Sequence, residues 1–174
     1  SQGAIHIFNT LASTVTRGIR IDENGNVGIG TTTPNEQLEI TKNFRLPATT
    51  AIVGIIKSGA NTLLHTFGTD NTFVGVSAGN LTMDTASQRN TAVGTNALTS
   101  LTTSATSLTA VGYNALTLNT TGTDNTAVGD RALAANLIGV NNTALGSLAL
   151  INNTNSSNTA VGFSVLKLNA GGGE

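Results

Sequence analysis

Six times between residues 71 and 162 the chain returns to the same short phrase ending in glycine. The copies are Asn71-Thr72-Phe73-Val74-Gly75, Asn90-Thr91-Ala92-Val93-Gly94, Leu108-Thr109-Ala110-Val111-Gly112, Asn125-Thr126-Ala127-Val128-Gly129, Asn142-Thr143-Ala144-Leu145-Gly146 and Asn158-Thr159-Ala160-Val161-Gly162. The glycines step by 19, 18, 17, 17 and 16 residues. That period is short for a pair of helices and matches one coil of a β-solenoid or β-roll. Repetition of this kind fixes the architecture of the second half before any single residue is considered.

Comparing the copies separates constrained positions from free ones. Thr stands three residues before every glycine and Val or Leu one before it. Ala stands three after, with Val165 the exception, and Leu98, Leu116, Leu133, Leu150 and Leu166 stand four after, where the first copy has Gly79. The residue directly after the glycine runs Val76, Thr95, Tyr113, Asp130, Ser147, Phe163, a variety that only a solvent-facing site accepts. β-Branched Thr and Val suit a pleated surface, Gly permits a corner, and Asn tolerates a turn. Each copy therefore reads as a strand, a glycine corner and a second short strand. Its expected core is Val93, Val111, Val128, Leu145 and Val161 with the Leu column, and stretches such as Thr99 to Ser107 and Ile151 to Asn158 form loops or the outer side of each coil.

Composition sharpens this. Thr, Asn and Gly number 30, 21 and 20 of 174 residues, aromatics are 3%, and Trp is absent. One coil offers a Val, a Leu and a few Ala, too little apolar surface to offset the ordering of its backbone. The deficit predicts that several chains pack about an axis. The formal net charge is −1 with no basic cluster, which excludes binding driven by phosphate neutralisation, and no nucleic-acid partner is expected. No cysteine is present, so neither disulfides nor thiolate metal sites arise. The 34 uncharged residues between Arg89 and Asp124 are crowded with Thr, Ser and Asn, and no membrane contact is expected of them. The ends, Ser1-Gln2-Gly3 and Gly171-Gly172-Gly173-Glu174, read as those of an excised fragment.

The pattern Asn-Thr-Ala-Val-Gly-x-x-Ala-Leu with Thr/Asn-rich spacers resembles, over residues 71 to 168, the head repeats of trimeric autotransporter adhesins (YadA-like) and related trimeric fibres of bacteria and phages. The resemblance implies an all-β chain, a left-handed parallel β-roll assembled as a homotrimer and preceded by a small β-rich fibre segment. The spacing here is longer than in those repeats and drifts, and the fragment has neither heptad stalk nor anchor. Gly25-Asn26-Val27-Gly28-Ile29-Gly30-Thr31-Thr32-Thr33-Pro34 is similar to a segment of many phage tail fibres, including fibres that end in a cleavable trimerisation chaperone.

Residues 1–57 are expected to form the N-terminal β-rich connector and 58–174 the repeat region. In the former, Arg17 to Ile40 reads as strand, Asn24-Gly25 turn, strand, a Thr-Thr-Thr-Pro break and a further strand from Gln37 to Ile40. Ala51 to Ile56 reads as a buried strand and Leu63 to Phe67 as another.

The fragments of enzymatic and ligand motifs in the chain are incomplete. Gly28-x-Gly30 lacks the third glycine and the helix of a dinucleotide fingerprint. Asp22-x-Asn24-x-Asn26 begins like a calcium loop, yet Val27 and Thr33 occupy the sixth and twelfth positions, so a hairpin turn accounts for it. His6 and His65 read as strand residues. The sequons at Asn80, Asn119, Asn141, Asn152 and Asn155 follow from composition. Asp70, Asp84, Asp124 and Asp130 read as loop charges rather than the paired carboxylates of a glycosidase. No catalytic, cofactor or metal residues are assigned. The expectation is a non-enzymatic extracellular fibre or adhesin segment, on a cell surface or a virion, that meets a host or prey glycan or protein through Tyr113, Phe163, Asp130 and Thr95. The alternatives are a structural spacer, then an enzyme-bearing tailspike, then an ice-binding solenoid, for which only one invariant Thr per copy is a poor match.

Overall fold

The computed structural model describes residues 5–8, 18–31, 33–40, 44–47, 50 and 54–169. Among them the chain is all-β and divides into two compact units, residues 1–45 and 46–174.

The first unit is one four-stranded sheet in the order β1(Ile5–Phe8), β2(Gly18–Ile21), β3(Val27–Ile29), β4(Leu38–Ile40). Strands β1, β2 and β3 pair antiparallel, and β4 joins β3 in parallel. The β2–β3 turn forms because Asp22 Oδ1 accepts from the backbone N–H groups of Asn24 and Asn26 at 2.9 and 2.8 Å, with Gly25 at φ +84° completing it. The sequence expected this turn and the break before β4.

The second unit begins with an antiparallel hairpin, β5(Ile56–Ser58) and β6(Asn61–His65), which pairs through β6 with the first solenoid strand. Then follow β7(Thr72–Val74), β8(Thr91–Val93), β9(Thr109–Val111), β10(Thr126–Val128), β11(Thr143–Leu145) and β12(Thr159–Val161), one per repeat, all parallel and in exact copy-to-copy register. This is a β-solenoid of about five turns. The strand after each glycine is not formed among the described residues; that stretch is a run of turns. The expected strand over residues 51–56 lies partly outside the described residues, and Ile56 is exposed in β5.

Two backbone features explain the repeat spacing. The column Gly75, Gly94, Gly112, Gly129, Gly146 and Gly162 holds φ between +129° and +138°, and a Cβ on Gly94 would lie 2.5 Å from the carbonyl oxygen of Gly112. No other residue fits that approach. Each coil also turns three further times through left-handed residues that are mostly not glycine: Asp70, Arg89, Ser107, Asp124, Asn141 and Ser157 before the strand; Ser77, Asn96, Asn114, Arg131, Leu148 and Ser164 two after the glycine; and the Leu column four after it. Each costs on the order of 1–2 kcal/mol of steric strain, so packing must hold it.

The inside of the coil corrects the expected core. Extended backbone alternates its side chains, so when the middle residue of Thr-Ala-Val points in, its neighbours point out. Phe73, Ala92, Ala110, Ala127, Ala144 and Ala160 are fully buried, whereas Val93, Leu145 and Val161 are 40%, 48% and 63% exposed, and Val111 and Val128 are half-buried. The valine column is therefore an outer surface of the roll. Leu98, Leu116, Leu133 and Leu150 are buried as expected, but Leu166 in the last coil is exposed. The spacers also contribute: Leu101, Ala105 and Asn153 are buried.

The Asn that opens each copy does more than turn the chain. Asn71 Oδ1 accepts from Asn90 N–H at 2.8 Å and Asn90 Oδ1 from Leu108 N–H at 3.0 Å. Below, Asn125 serves Asn142 and Asn142 serves Asn158, at 2.9 and 3.0 Å. Asn90 Nδ2 in turn donates to the buried Ala105 carbonyl and Asn125 Nδ2 to the buried Gly139 carbonyl. A buried amide with its hydrogen bonds made stabilises the stack and fixes its register; half-made, it would destabilise it.

Candidate interaction surface

A solenoid of similar coils turns each repeat position into a column, and three such columns face outward, two on the strand face and one beyond the glycine corner. On the strand face, Thr72, Thr91, Thr126, Thr143 and Thr159 are exposed, with Thr109 half-buried, and beside them run Val74, Val93, Val111, Val128, Leu145 and Val161. Strands spaced about 4.8 Å apart make this uncharged strip roughly 29 Å long. Its methyl groups lie partly in water in the single chain, whereas the expected core placed this Val column in the interior.

Around the glycine corner lies the variable column. Tyr113 is 47% and Phe163 75% exposed, Thr95 is exposed, and Asp130 is half-buried, as are Val76 and Ser147. All four residues singled out from sequence thus share one edge of the roll, because glycine stacking aligns whatever follows it. They are not neighbours of equal standing. Tyr113 and Asp130 occupy successive coils, and the Arg131 guanidinium sits 5.9 Å from the Tyr113 ring centroid, a cation–π contact that helps hold the ring on the surface. Thr95 lies one coil above Tyr113, and Phe163 stands two coils below Asp130. The edge carries aromatic, hydroxyl and carboxylate groups spread over five successive coils.

The remaining expectations fall as follows. Asp22 lies in the hairpin turn, and the N–H of Asn26 holds its carboxyl below the ordinary carboxylate value. Its oxygens accept from the backbone N–H groups of Asn24 and Asn26 and from Asn26 Nδ2. Among the described residues no three His, Cys, Asp or Glu side chains gather as a metal site, and no helix is long and apolar enough to cross a membrane. His65 is buried at the hairpin cap, its Nε2 2.8 Å from the Ala78 carbonyl and its Nδ1 accepting from Phe67 N–H at 3.3 Å. Burial lowers its pKa, so the ring is neutral and tilted against Phe73 with centroids 4.8 Å apart. His6 falls in β1. Of the sequons, Asn119 is fully buried and Asn141 exposed.

Comparison with protein-family models, with curated proteins and with solved structures finds no match to this chain.

Proposed function

We propose that this chain is a segment of a homotrimeric extracellular fibre, exposed on a cell or virion, that attaches to a host or prey surface. The observation that carries the reading is the uncharged Thr/Val strip along the solenoid. Each half-exposed Val or Leu that a second chain covers returns part of the 1.5–3 kcal/mol typical of full burial, and six rungs in register add these terms. A left-handed roll packed three times about an axis, as the repeat resemblance implies, covers the strip and leaves the variable edge outward. Attachment then uses Tyr113, Phe163, Thr95 and Asp130, presented three times each, so that weak contacts act together. Exposed rings on such an edge stack on the apolar face of a sugar or anchor a protein contact. Neither a cofactor nor a catalytic step belongs to this reading, and no nucleic acid or membrane is contacted.

The second reading, a spacer whose binding is carried elsewhere, is favoured by the spread of Thr95, Tyr113, Asp130 and Phe163 over five successive coils. Light scattering should give three times 17.6 kDa. A glycan array with whole-cell binding should then show attachment by the parent and loss of it in a Tyr113→Ala, Phe163→Ala double variant of unchanged melting temperature. Trimers that attach to nothing would favour the spacer, and a well-folded monomer would contradict both.

A further inference from the structure

The N-terminal sheet carries a second apolar surface, half-buried to exposed among the described residues. The register sets Ile19 opposite Ile29 and Ile21 opposite Val27, and pairs Val27 with Leu38 and Ile29 with Ile40. Paired residues share a face and alternate residues along a strand return to it. Ile19, Ile21, Val27, Ile29, Leu38 and Ile40 therefore occupy one face and Arg20, Gly28 and Glu39 the other. The same register sets Ile7 opposite Ile19 and Ile5 opposite Ile21. Leu38 is 57% and Ile19 39% exposed. Among the described residues each strand of the unit contacts only its neighbours in the sheet. A sheet with one wholly apolar face needs a second layer.

We propose that this second layer is the same face of the other copies of the chain. The inference rests on the trimeric reading above. Area argues for that occupant. Four strands of three or four residues cover about 19 Å by 10–13 Å, roughly 200–250 Å² per copy. Three such faces meeting about an axis bury on the order of 700 Å², short of the roughly 1,000 Å² that a free partner needs for stable capture. A partner already held close by another contact needs far less, because its effective concentration is set by the connecting chain. Copies joined along the solenoid strip are such partners. Both surfaces are also uncharged, so neither selects a charged protein or polyanion. The N-terminal sheets thus close on one another only once the solenoids have assembled.

The chain has no cysteine, which makes the test clean. Ile19→Cys and Leu38→Cys are placed singly on the apolar face and Glu39→Cys on the opposite one, and each variant is treated with a short bis-maleimide at micromolar protein. Pairs of chains should be linked through Cys at 19 and 38 but not at 39, in preparations whose mass is trimeric. Adding Val111→Lys with Val128→Lys on the solenoid strip should abolish both the trimer and the links. Hydrogen exchange on the cysteine-free protein reads the same event: the Arg20 and Gly28 amides should exchange at least tenfold slower in the parent than in the strip variant. Trimeric mass without links at 19 or 38, and with equal exchange, would overturn this inference and leave the trimeric reading standing. Links that persist in the strip variant would overturn the dependence on the solenoid. A monomeric parent without links would overturn both.

Discussion

Leu116→Ala tests whether the roll is built from the inside in the manner described. Leu116 is fully buried, sits at φ +50°, and donates from its N–H to the Ala132 carbonyl at 3.0 Å. Leu98 above and Leu133 below occupy the same position in adjacent coils and are equally buried, so the coils cannot collapse sideways into the space left behind. The substitution removes three carbons and leaves the left-handed backbone with a residue no better suited to it. A loss of about 2–5 kcal/mol per chain follows, near the upper end if the cavity stays open. Leu166→Ala, at the equivalent but exposed position, should lose less than about half of that, because much of that side chain is already in water. Urea unfolding followed by circular dichroism, with the midpoint and slope fitted for parent and both variants, measures the difference. Equal midpoints for Leu116→Ala and the parent, or a larger loss at Leu166 than at Leu116, would refute the assignment of this column to the interior.

Further consequences can be checked on the same protein. Asn90→Ala strands the Leu108 N–H and the Ala105 carbonyl inside the roll and should cost roughly 2–6 kcal/mol in chemical denaturation, since each of the two orphaned groups costs about 1–3 kcal/mol. Leu148→Asn relieves a left-handed corner that the equivalent Asn96 and Asn114 already fill with Asn, and should raise stability by about 1 kcal/mol in a melting experiment. His65 is neutral in the fold with a pKa below its ordinary 6.5, so the unfolded chain binds the extra proton first. Stability from this site should be complete above pH 6.5 and fall as the pH drops below it, a slope that His65→Gln removes from the melting-temperature profile.

Much of the fold was legible in the sequence because repetition is a comparison within one chain. The glycine column, the Leu column and the variable position after each glycine all emerged from six aligned copies, and the structure aligns them as columns on the coil. What failed was the polarity of Thr-Ala-Val. Hydrophobicity assigned Val to the interior, but strand alternation turns the middle residue of the three inward and its neighbours outward; beside the Leu column that middle residue is Ala, and only the first coil, where Gly79 replaces the Leu, holds Phe73 there. The Asn ladder was missed for a related reason: Asn is a turn former, and its inward role shows only in the exception, where Leu108 replaces it. A position that alternates between Asn and Leu, and nothing of intermediate polarity, is the signature of a buried site whose polar form is fully hydrogen-bonded. The one-sided N-terminal sheet was hidden because Ile19, Val27 and Leu38 belong to three strands whose faces are fixed only by register. The shared edge of Tyr113, Phe163, Asp130 and Thr95 was readable, while the burial of Asp130 depends on neighbouring coils that sequence spacing does not describe.

The central claim is that the outward Thr/Val strip, and not the interior of the roll, joins the chains. Sedimentation equilibrium of the parent and of Val111→Lys, Val128→Lys measures it most directly. Both residues lie on the middle strands of the strip and point away from the coil, so lysine is tolerated by one chain but brings like charges together when chains meet there. The account predicts three times 17.6 kDa for the parent and 17.6 kDa for the variant, with the same β-rich circular dichroism spectrum. A variant that remains trimeric, or a parent that sediments as a folded monomer, would contradict it.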